Sequence, residues 1–537
     1  MKILATVIIT AVTILLYWQG IHYDYVQWDE GTYIVYNPHI QSLTLDNLYW
    51  MLTATRSAVW APMLWLSYAI DYQISGIEPF AYHLTNILFH AVNSVWVFFL
   101  TILLLQLSPS AFVPKQQWLA GFIAALLFAV HPQHVEPVMW IASRKDVLSL
   151  FFAFATVWFY LHYTQSHKIS HYGFAVVLYA CAAATKPVVM TLPVVLILLD
   201  GLLLQRLSSI KLGLQRIVIE KLPFWGLALF SAGMAFYAHW QDQRIISVTE
   251  ISWNFRILNA ADMVTFYLSK WLIPFGFAPY YPFPTSVSMY SLLVVMAISG
   301  ILLYFALKRQ HIILGLVWLT YLVSLFPMLN IVTFNPDIAG ADKFAYLPTI
   351  GFYMLFGIGV VKISVYLSQQ QQFLFKVVIF ALIFGLIQLS QQQMQIWKDS
   401  LHLWYAADLA HPNHPEIQDG LASAYFENHH YPAAIAYYQK NAALSPNCVR
   451  CDYGLANSYL KLDDKVQALH HFQQVIQHAS EQSIQGLDDV YFKIALIYGQ
   501  QGQINRALQA AQQGIILNPD NIQGQQLWQQ LQQYAPK

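Results

Sequence analysis

Eleven mostly apolar stretches, most of them about 17 to 22 residues long, the length that crosses the hydrocarbon core of a bilayer, recur along this chain as far as residue 391. They fall near 3–19, 84–105, 118–131, 146–163, 171–185, 187–204, 221–240, 287–307, 311–329, 345–367 and 373–391. A twelfth segment, 257–276, is apolar but interrupted by Asp262, Lys270 and Pro274, and is expected to be re-entrant or interfacial, so the span count lies between eleven and thirteen. With 57% hydrophobic residues, 10% charged residues and a mean hydropathy of +0.45, an ordinary soluble globule is excluded. The stretch Ile3 to Tyr17 is nearly free of polar residues and no small-residue cleavage site follows it, so it reads as a retained first span. The expected fold is all-α: a polytopic transmembrane helical bundle over 1–391, a linker over 392–414 and a second domain over 415–537.

That second domain differs in kind. After Trp397 the composition turns polar, and from Pro415 the sequence is helical and periodic. Leu421, Ala422, Tyr425, Ala434, Tyr438 and Pro446 set a pattern that Leu455, Ala456, Tyr459, Ala468 and Phe472 repeat 34 positions on. Ile494, Ala495, Tyr498, Ala507, Ala511 and Pro519 repeat it again after a short insertion. The pattern resembles the tetratricopeptide repeat, in which small residues let paired helices pack closely and neighbouring pairs share one core. Such an α-solenoid presents a concave face to a peptide or another protein.

Orientation follows from Lys and Arg in the short loops. Arg206, Lys211, Arg216 and Lys221 in loop 205–221, Lys308-Arg309 and Lys168 mark connections of one parity, expected inside. The loops bearing Asp29 and Glu30, His131 to Asp146, and Asn330 to Thr349 are then outside, and an odd number of spans puts the C-terminal repeats outside as well. Zero formal net charge argues against a nucleic-acid partner, since binding a phosphate backbone needs an excess of cations. Of three cysteines, Cys181 stands alone while Cys448 and Cys451 form a C-x-x-C pair that reads equally as an outward disulfide or as two inert thiols.

Reactive groups concentrate in the outer segments. Dragging a carboxylate to the bilayer centre costs roughly 2.5 to 3.5 kcal/mol, so the pair Asp29-Glu30, just past the first span, marks a site. His131, His134, Glu136, Arg144, Lys145 and Asp146 lie in the second outer loop, and Asp337, Asp342, Lys343 and Tyr346 in the third. Acid in one loop with fixed cations in the others suits a transfer whose leaving group is a phosphate. The alternative for each charge is simple solvation at the interface. His131, His134 and Glu136 lack the H-E-x-x-H spacing, and Pro132 and Pro137 interrupt a helical face, so no metal site is assigned; a divalent-metal requirement stays open. Asn86, His90 and Asn93 share one helix face, read first as interhelical hydrogen bonding and second as contact with a donor lipid. No Walker sequence or nucleophile elbow is present, so nucleotide-driven transport and serine hydrolysis lack support.

Trp28-Asp29-Glu30 with Asn37-Pro38, Tyr82-His83 with Asn86 and His90, His131-Pro132 with Val135-Glu136 and Trp140, Arg144-Lys145-Asp146-Val147-Leu148, Lys186-Pro187, and Asp342-Lys343 with Tyr346-Leu347-Pro348 and Gly351 form an ordered series. The series, with terminal repeats, resembles the transmembrane and tetratricopeptide-repeat-containing O-mannosyltransferases and their bacterial relatives, within the GT-C glycosyltransferase superfamily. The resemblance implies a membrane glycosyltransferase that uses a polyprenyl-phosphate sugar and an acidic residue of the first outer loop. Asp29 and Glu30 occupy the catalytic positions, and Glu30 stands where the family often has a second aspartate. Arg144, Lys145, Lys186 and Lys343 become candidates for the donor phosphate, and Trp28, Asn37, Asn86, His90, His131, His134, Glu136, Asp342 and Tyr346 for the substrate pocket. The implied partners are the membrane with its lipid-linked sugar and an acceptor protein or glycan, the latter met through the repeats; no further cofactor is assigned. Two other readings are a non-catalytic scaffold displaying the repeats and a lipid-linked sugar flippase, which would need charges along a transmembrane path. No Asn-x-Ser or Asn-x-Thr acceptor and no lumenal retention signal occurs, which favours a bacterial inner membrane with periplasmic repeats over the endoplasmic reticulum.

Overall fold

The computed structural model describes residues 1–108, 112–206, 210–242, 251–307, 312–332, 338–479 and 486–534. Lys308, Arg309 and Asp337 fall outside these residues, as do the side chains of Lys211 and Arg216. The chain forms two compact units, Met1–His402 and Leu403–Lys537.

The first unit is a multi-pass helical bundle. Among the described residues, five helices are long and apolar enough to cross a membrane: Lys2–His22, Pro79–Leu107, Ile141–Ser166, Ile217–Gln241 and Gln369–Trp397. The bent pair Pro114–Val130 and Pro132–Met139 makes a sixth if it counts as one span. Five more apolar helices, Ile169–Ala183, Pro187–Leu203, Met289–Phe305, Ile312–Met328 and Ile350–Tyr366, are shorter. This differs from eleven uniform spans for a geometric reason. At 1.5 Å per residue, a helix of about 16 residues reaches only about 24 Å, short of a core of about 30 Å. The segment expected to be re-entrant or interfacial contains a continuous helix, Trp253–Leu272, started by the Ser252 hydroxyl accepting from the Phe255 amide.

Local chemistry sets the element ends. Proline opens Pro79–Leu107 at a position where no amide is needed, and Ser368 and Gln371 cap Gln369–Met394 reciprocally. Helix Arg144–Ser166 ends on His167 in the left-handed region (φ 54°). Pro132 cannot continue the preceding helix and bends the chain by 58°, which turns Glu136 and Trp140 toward the first loop. Small residues let helices touch: a Cβ on Gly357 would stand 2.2 Å from the Ala120 carbonyl oxygen, so Ile350–Tyr366 lies directly on Pro114–Val130. Large apolar side chains such as Phe373 and Phe380 on Gln369–Met394 stay exposed, as lipid-facing residues must.

Two of the loop cations used for orientation are not free charges. Arg206 pairs with Asp200 (2.9 Å) and Glu220 (2.8 Å), and Lys221 is fully buried against Asp200 (2.6 Å). Their partners come from the neighbouring helical segments, so this cluster ties elements together. Lys168 is exposed.

The second unit is an α-solenoid of helix pairs: Pro415–Glu427 with Tyr431–Leu444, Val449–Lys461 with Lys465–Ala479, and Leu487–Gln500 with Ile504–Leu517, closed by Ile522–Gln533. Ala456, Ala468, Phe472, Ile494, Ala495, Ala507 and Ala511 share one core, the mutual burial expected of repeats. The register reaches upstream of Pro415. Trp404, Tyr438 and Phe472 are spaced by 34, and a Cβ on Gly420 would meet the Trp404 ring at 2.3 Å, just as one on Gly454 would meet Tyr438 at 2.2 Å. Residues 392–414, expected as linker, are the end of Gln369–Met394, a 3-10 turn and the helix Ser400–Ala410.

Candidate active site

A cavity of 510 Å³ opens in the first unit where several loop segments converge. Trp28, Asp29, Glu136, Trp140, Lys145, Lys186 and Lys343 all line it, although they come from four distant parts of the chain. Asp29 sits in the turn that leads into the short π-helix Gly31–Val35, whose backbone begins with Tyr33 donating to the Asp29 carbonyl (2.9 Å). Its carboxylate is 31% exposed and lies 3.9 Å from the Lys145 ammonium, which also leans over the Tyr33 ring. Lys145 follows directly on the start of helix Arg144–Ser166, so a rigid element positions it.

The other two lysines are also held by carboxylates. Lys343 lies 3.3 Å from Glu136, and its backbone amide donates to the second Glu136 oxygen (3.1 Å). Its ammonium also stands 3.6 Å from the centre of the Trp140 ring, a cation–π contact. Lys186 pairs with Asp146 at 2.5 Å, and burial pulls its pKa down against the opposing charge of Asp146. An ammonium has three donors and each of these is directed by one carboxylate, which leaves N–H groups for another anion. Trp28 stacks between Trp140 (4.9 Å) and Tyr280 (6.1 Å), and Trp140 stacks in turn on Trp397 (5.6 Å), so the cavity carries a fixed aromatic wall.

Glu30 lies beside the cavity and not on its lining. It is buried, accepts one hydrogen bond from the Ala142 amide (3.3 Å), and its pKa is pushed up to about 8. Burial is the main cause and the Asp29 charge adds to it, while the Trp140 indole and nearby amides pull the other way. Adjacent carboxyls therefore occupy different environments: burial favours the protonated form of Glu30, while Asp29 faces the cavity.

The structure separates several residues from this group. Arg144, expected at the donor phosphate, is wholly buried and does not line the cavity. Its guanidinium is taken up by the Asp71 carboxylate, the Asn86 side-chain oxygen (2.7 Å) and the Tyr82 carbonyl, with the Tyr68 ring beneath it. Asn86 also donates to the Val138 and Trp140 carbonyls, which makes it a splice between Pro79–Leu107 and the bent segment. Asn37 donates to the Tyr33 carbonyl and caps Pro38–Ile40. His90 bonds the Tyr346 hydroxyl (2.7 Å) and the Ala129 carbonyl, and Asn93 reaches both Tyr346 and the Val147 carbonyl. His134 bonds the Phe128 carbonyl and His131 the Trp271 carbonyl, so with Glu136 turned to Lys343 these three do not converge. Among the described residues no group of three or more His, Cys, Asp or Glu side chains is placed to hold a metal ion. Asp342 accepts from the Tyr281 hydroxyl (3.0 Å), and burial together with the Glu136 charge holds its pKa well above the carboxylate range.

Reading the residues alone missed Asp71 and Tyr33. Asp71 falls between apolar stretches with no motif around it, and Tyr33 is one of many aromatics in its loop.

No family model matches the chain. It is similar to the protein O-mannosyl-transferase TMTC3 of Mus musculus, at 32% identity over 167 residues, which is 30% of this chain and 16% of that protein. The Homo sapiens TMTC3 protein gives 32% identity over 167 residues and 17% of its own length, and the Mus musculus TMTC4 protein 30% over 179 residues and 23%. The chain thus matches less than a quarter of the length of each of these curated relatives. Among solved structures, an apo oligosaccharyltransferase of Archaeoglobus fulgidus aligns with a TM-score of 0.38 and 13% identity over 73% of this chain and 56% of that one. The curated relatives of this chain are accordingly protein O-mannosyl-transferases, to which it is similar over 30% of its length.

Proposed function

We propose that the cavity is the reaction chamber of a membrane glycosyltransferase that moves a sugar from a polyprenyl-phosphate donor to a hydroxyl of a protein or glycan acceptor, with inversion. One observation carries the reading: a single cavity gathers the half-buried Asp29 carboxylate, three lysines on separate segments and a stacked indole wall. Asp29 takes the proton of the acceptor hydroxyl as its oxygen attacks the anomeric carbon from the face opposite the phosphate. The carbon–oxygen bond to the phosphate breaks, and the charge left there is met by Lys145, Lys186 and Lys343. Attack from the opposite face inverts the centre. Carboxylate near the ring also stabilises the positive charge of a sugar-like transition state. Glu30, in the protonated form that burial favours, adds no second charge beside Asp29 and braces the turn through the Ala142 amide.

The similarity to protein O-mannosyl-transferases makes O-linked transfer of mannose the first chemistry to test, with the repeats receiving the acceptor. Activated nucleotide sugars are cytoplasmic compounds, so an outward site calls for a lipid-linked donor; the compartment proposed is the bacterial periplasm, with the endoplasmic reticulum lumen as the alternative. Membranes containing the protein are incubated with labelled polyprenyl-phosphate mannose and, in parallel, other polyprenyl-phosphate sugars. Label passing to protein or glycan supports the reading. Absence of transfer from every lipid-linked sugar, with the protein folded, overturns it.

A further inference from the structure

The C-x-x-C pair of the repeat unit is closed as a disulfide, Cys448–Cys451. Its two sulfurs are unequal. Cys448 is the half-buried N-cap of the 13-residue helix Val449–Lys461, and its sulfur accepts the Cys451 amide (3.1 Å). Cys451 is wholly buried one turn in. A ring of so few residues removes less denatured-state freedom than any longer cross-link, so stapling the fold is the weakest use of this bond. A sulfur at a helix N-terminus, by contrast, is well placed to carry thiolate charge. The acidic residue of that first turn, Asp452, is held by His471 (3.0 Å) and His478 (3.1 Å).

The intervening residues give the bond a neighbour. Val449 and Arg450 line a groove of 910 Å³ inside the repeat unit, together with Asp419, Tyr453, Asn457 and Lys493. Arg450 is largely exposed and bridges to Glu416 and Asp419 on the preceding repeat, so the two residues between the cysteines form part of the groove wall.

We propose that Cys448–Cys451 is a thiol-exchange site whose substrate is a cysteine-bearing polypeptide lying in this groove. The incoming thiol loses its proton to solvent, and its thiolate attacks the Cys448 sulfur. A sulfur–sulfur bond forms between substrate and Cys448 while the Cys448–Cys451 bond breaks, and Cys451 leaves with the electron pair and is protonated. Return of the Cys451 thiolate onto Cys448 releases the substrate thiol, so capture is reversible and no outside oxidant is consumed. This proposal stands apart from the transferase reading and fails separately from it.

The test uses the purified full chain with reduced glutathione, itself a thiol peptide, followed by acid quench and peptide mapping. The expected products are glutathione on Cys448, a free thiol at Cys451, and re-formation of the original bond once glutathione is removed. Adducts chiefly on Cys451, or a bond untouched by millimolar glutathione over hours, overturn the proposal. Presented with oxidised glutathione, Cys451→Ser should trap a lasting Cys448 adduct, while Cys448→Ser should react at least about tenfold more slowly because its remaining sulfur is buried; equal rates in the two variants also overturn it. An unstructured Ser/Thr-rich peptide with one central cysteine should exchange about tenfold faster than glutathione if the groove holds it. Equal rates for peptide and glutathione refute the polypeptide as substrate.

Discussion

Arg144→Ala should destabilise the membrane unit and not act as a donor-binding variant. Arg144 and Asp71 are 0% and 2% exposed, so removing the guanidinium leaves the Asp71 carboxylate buried with, among the described residues, only the Thr85 hydroxyl (2.8 Å) as donor. Breaking a buried pair from one side costs about 3 to 5 kcal/mol, and here the Asn86 oxygen and the Tyr82 carbonyl also lose their donor. Arg144→Lys keeps a charge beside Asp71 but not the three-way fork, so a smaller loss of about 1 to 3 kcal/mol is expected. Replacing both partners, Asp71→Asn with Arg144→Met, should recover part of the loss, because no lone charge then remains. Thermal unfolding of the purified protein in detergent, read beside donor KM in the surviving fraction, separates the alternatives. An Arg144→Ala protein that unfolds at the wild-type temperature yet uses its donor poorly would refute the structural assignment and return Arg144 to the phosphate.

Lys343→Met strips the buried Glu136 carboxylate of its cation and should lower the unfolding temperature; combined with Glu136→Gln, which leaves no lone buried charge, it should recover part of that loss yet still raise donor KM about tenfold or more, and an unchanged KM in a labelled-donor titration would remove Lys343 from the site. Glu30 offers a pH test. Its folded pKa of about 8 exceeds the reference 4.5, so the folded state holds a proton that the unfolded state has lost, and stability falls as pH rises from about 4.5 to about 8, by up to about 1.4 kcal/mol per unit. Glu30→Gln, which mimics the protonated form, should flatten that slope in pH-dependent unfolding; an unchanged slope assigns it to other groups. Gly454→Ala drives a Cβ to 2.2 Å from the Tyr438 ring and should cost the repeat unit about 1 to 3 kcal/mol, seen as earlier proteolysis of the repeats; resistance equal to wild type would deny the close approach.

Residues whose meaning lies in their own chemistry were readable from the chain. Asp29 stands out as a charge in an apolar setting and does line the cavity, whereas Glu30 beside it does not; the repeats stand out because small and aromatic residues recur at a fixed interval. What depended on a distant partner was not readable. Arg144 looked like Lys145 in sequence, yet helix geometry points one at Asp71, 73 residues upstream, and the other into the cavity. Asn86, His90, His131, His134 and Tyr346 are polar residues among helices whose bonds end on carbonyls and hydroxyls of neighbours, so they hold the bundle together without facing the cavity. The upstream half-repeat went unseen because Trp404 precedes its first paired glycine, Gly420, and looks like one more interfacial tryptophan. Some of the stretches read from the chain, 118–131 and 171–185 among them, are themselves shorter than about 17 residues, which is one reason the spans read from the chain exceed the helices long enough to cross.

The central claim is that Asp29 is the base for a transfer carried out in this cavity. The direct measurement is single-turnover transfer from the labelled lipid-linked sugar by Asp29→Asn protein, with its unfolding temperature measured in parallel. At 31% exposure and 3.9 Å from Lys145 this carboxylate contributes little to packing, so folding and membrane insertion should be unchanged. Transfer should fall by roughly a hundred- to ten-thousand-fold, the contribution of a positioned general base. Wild-type turnover in a folded Asp29→Asn protein would contradict the account.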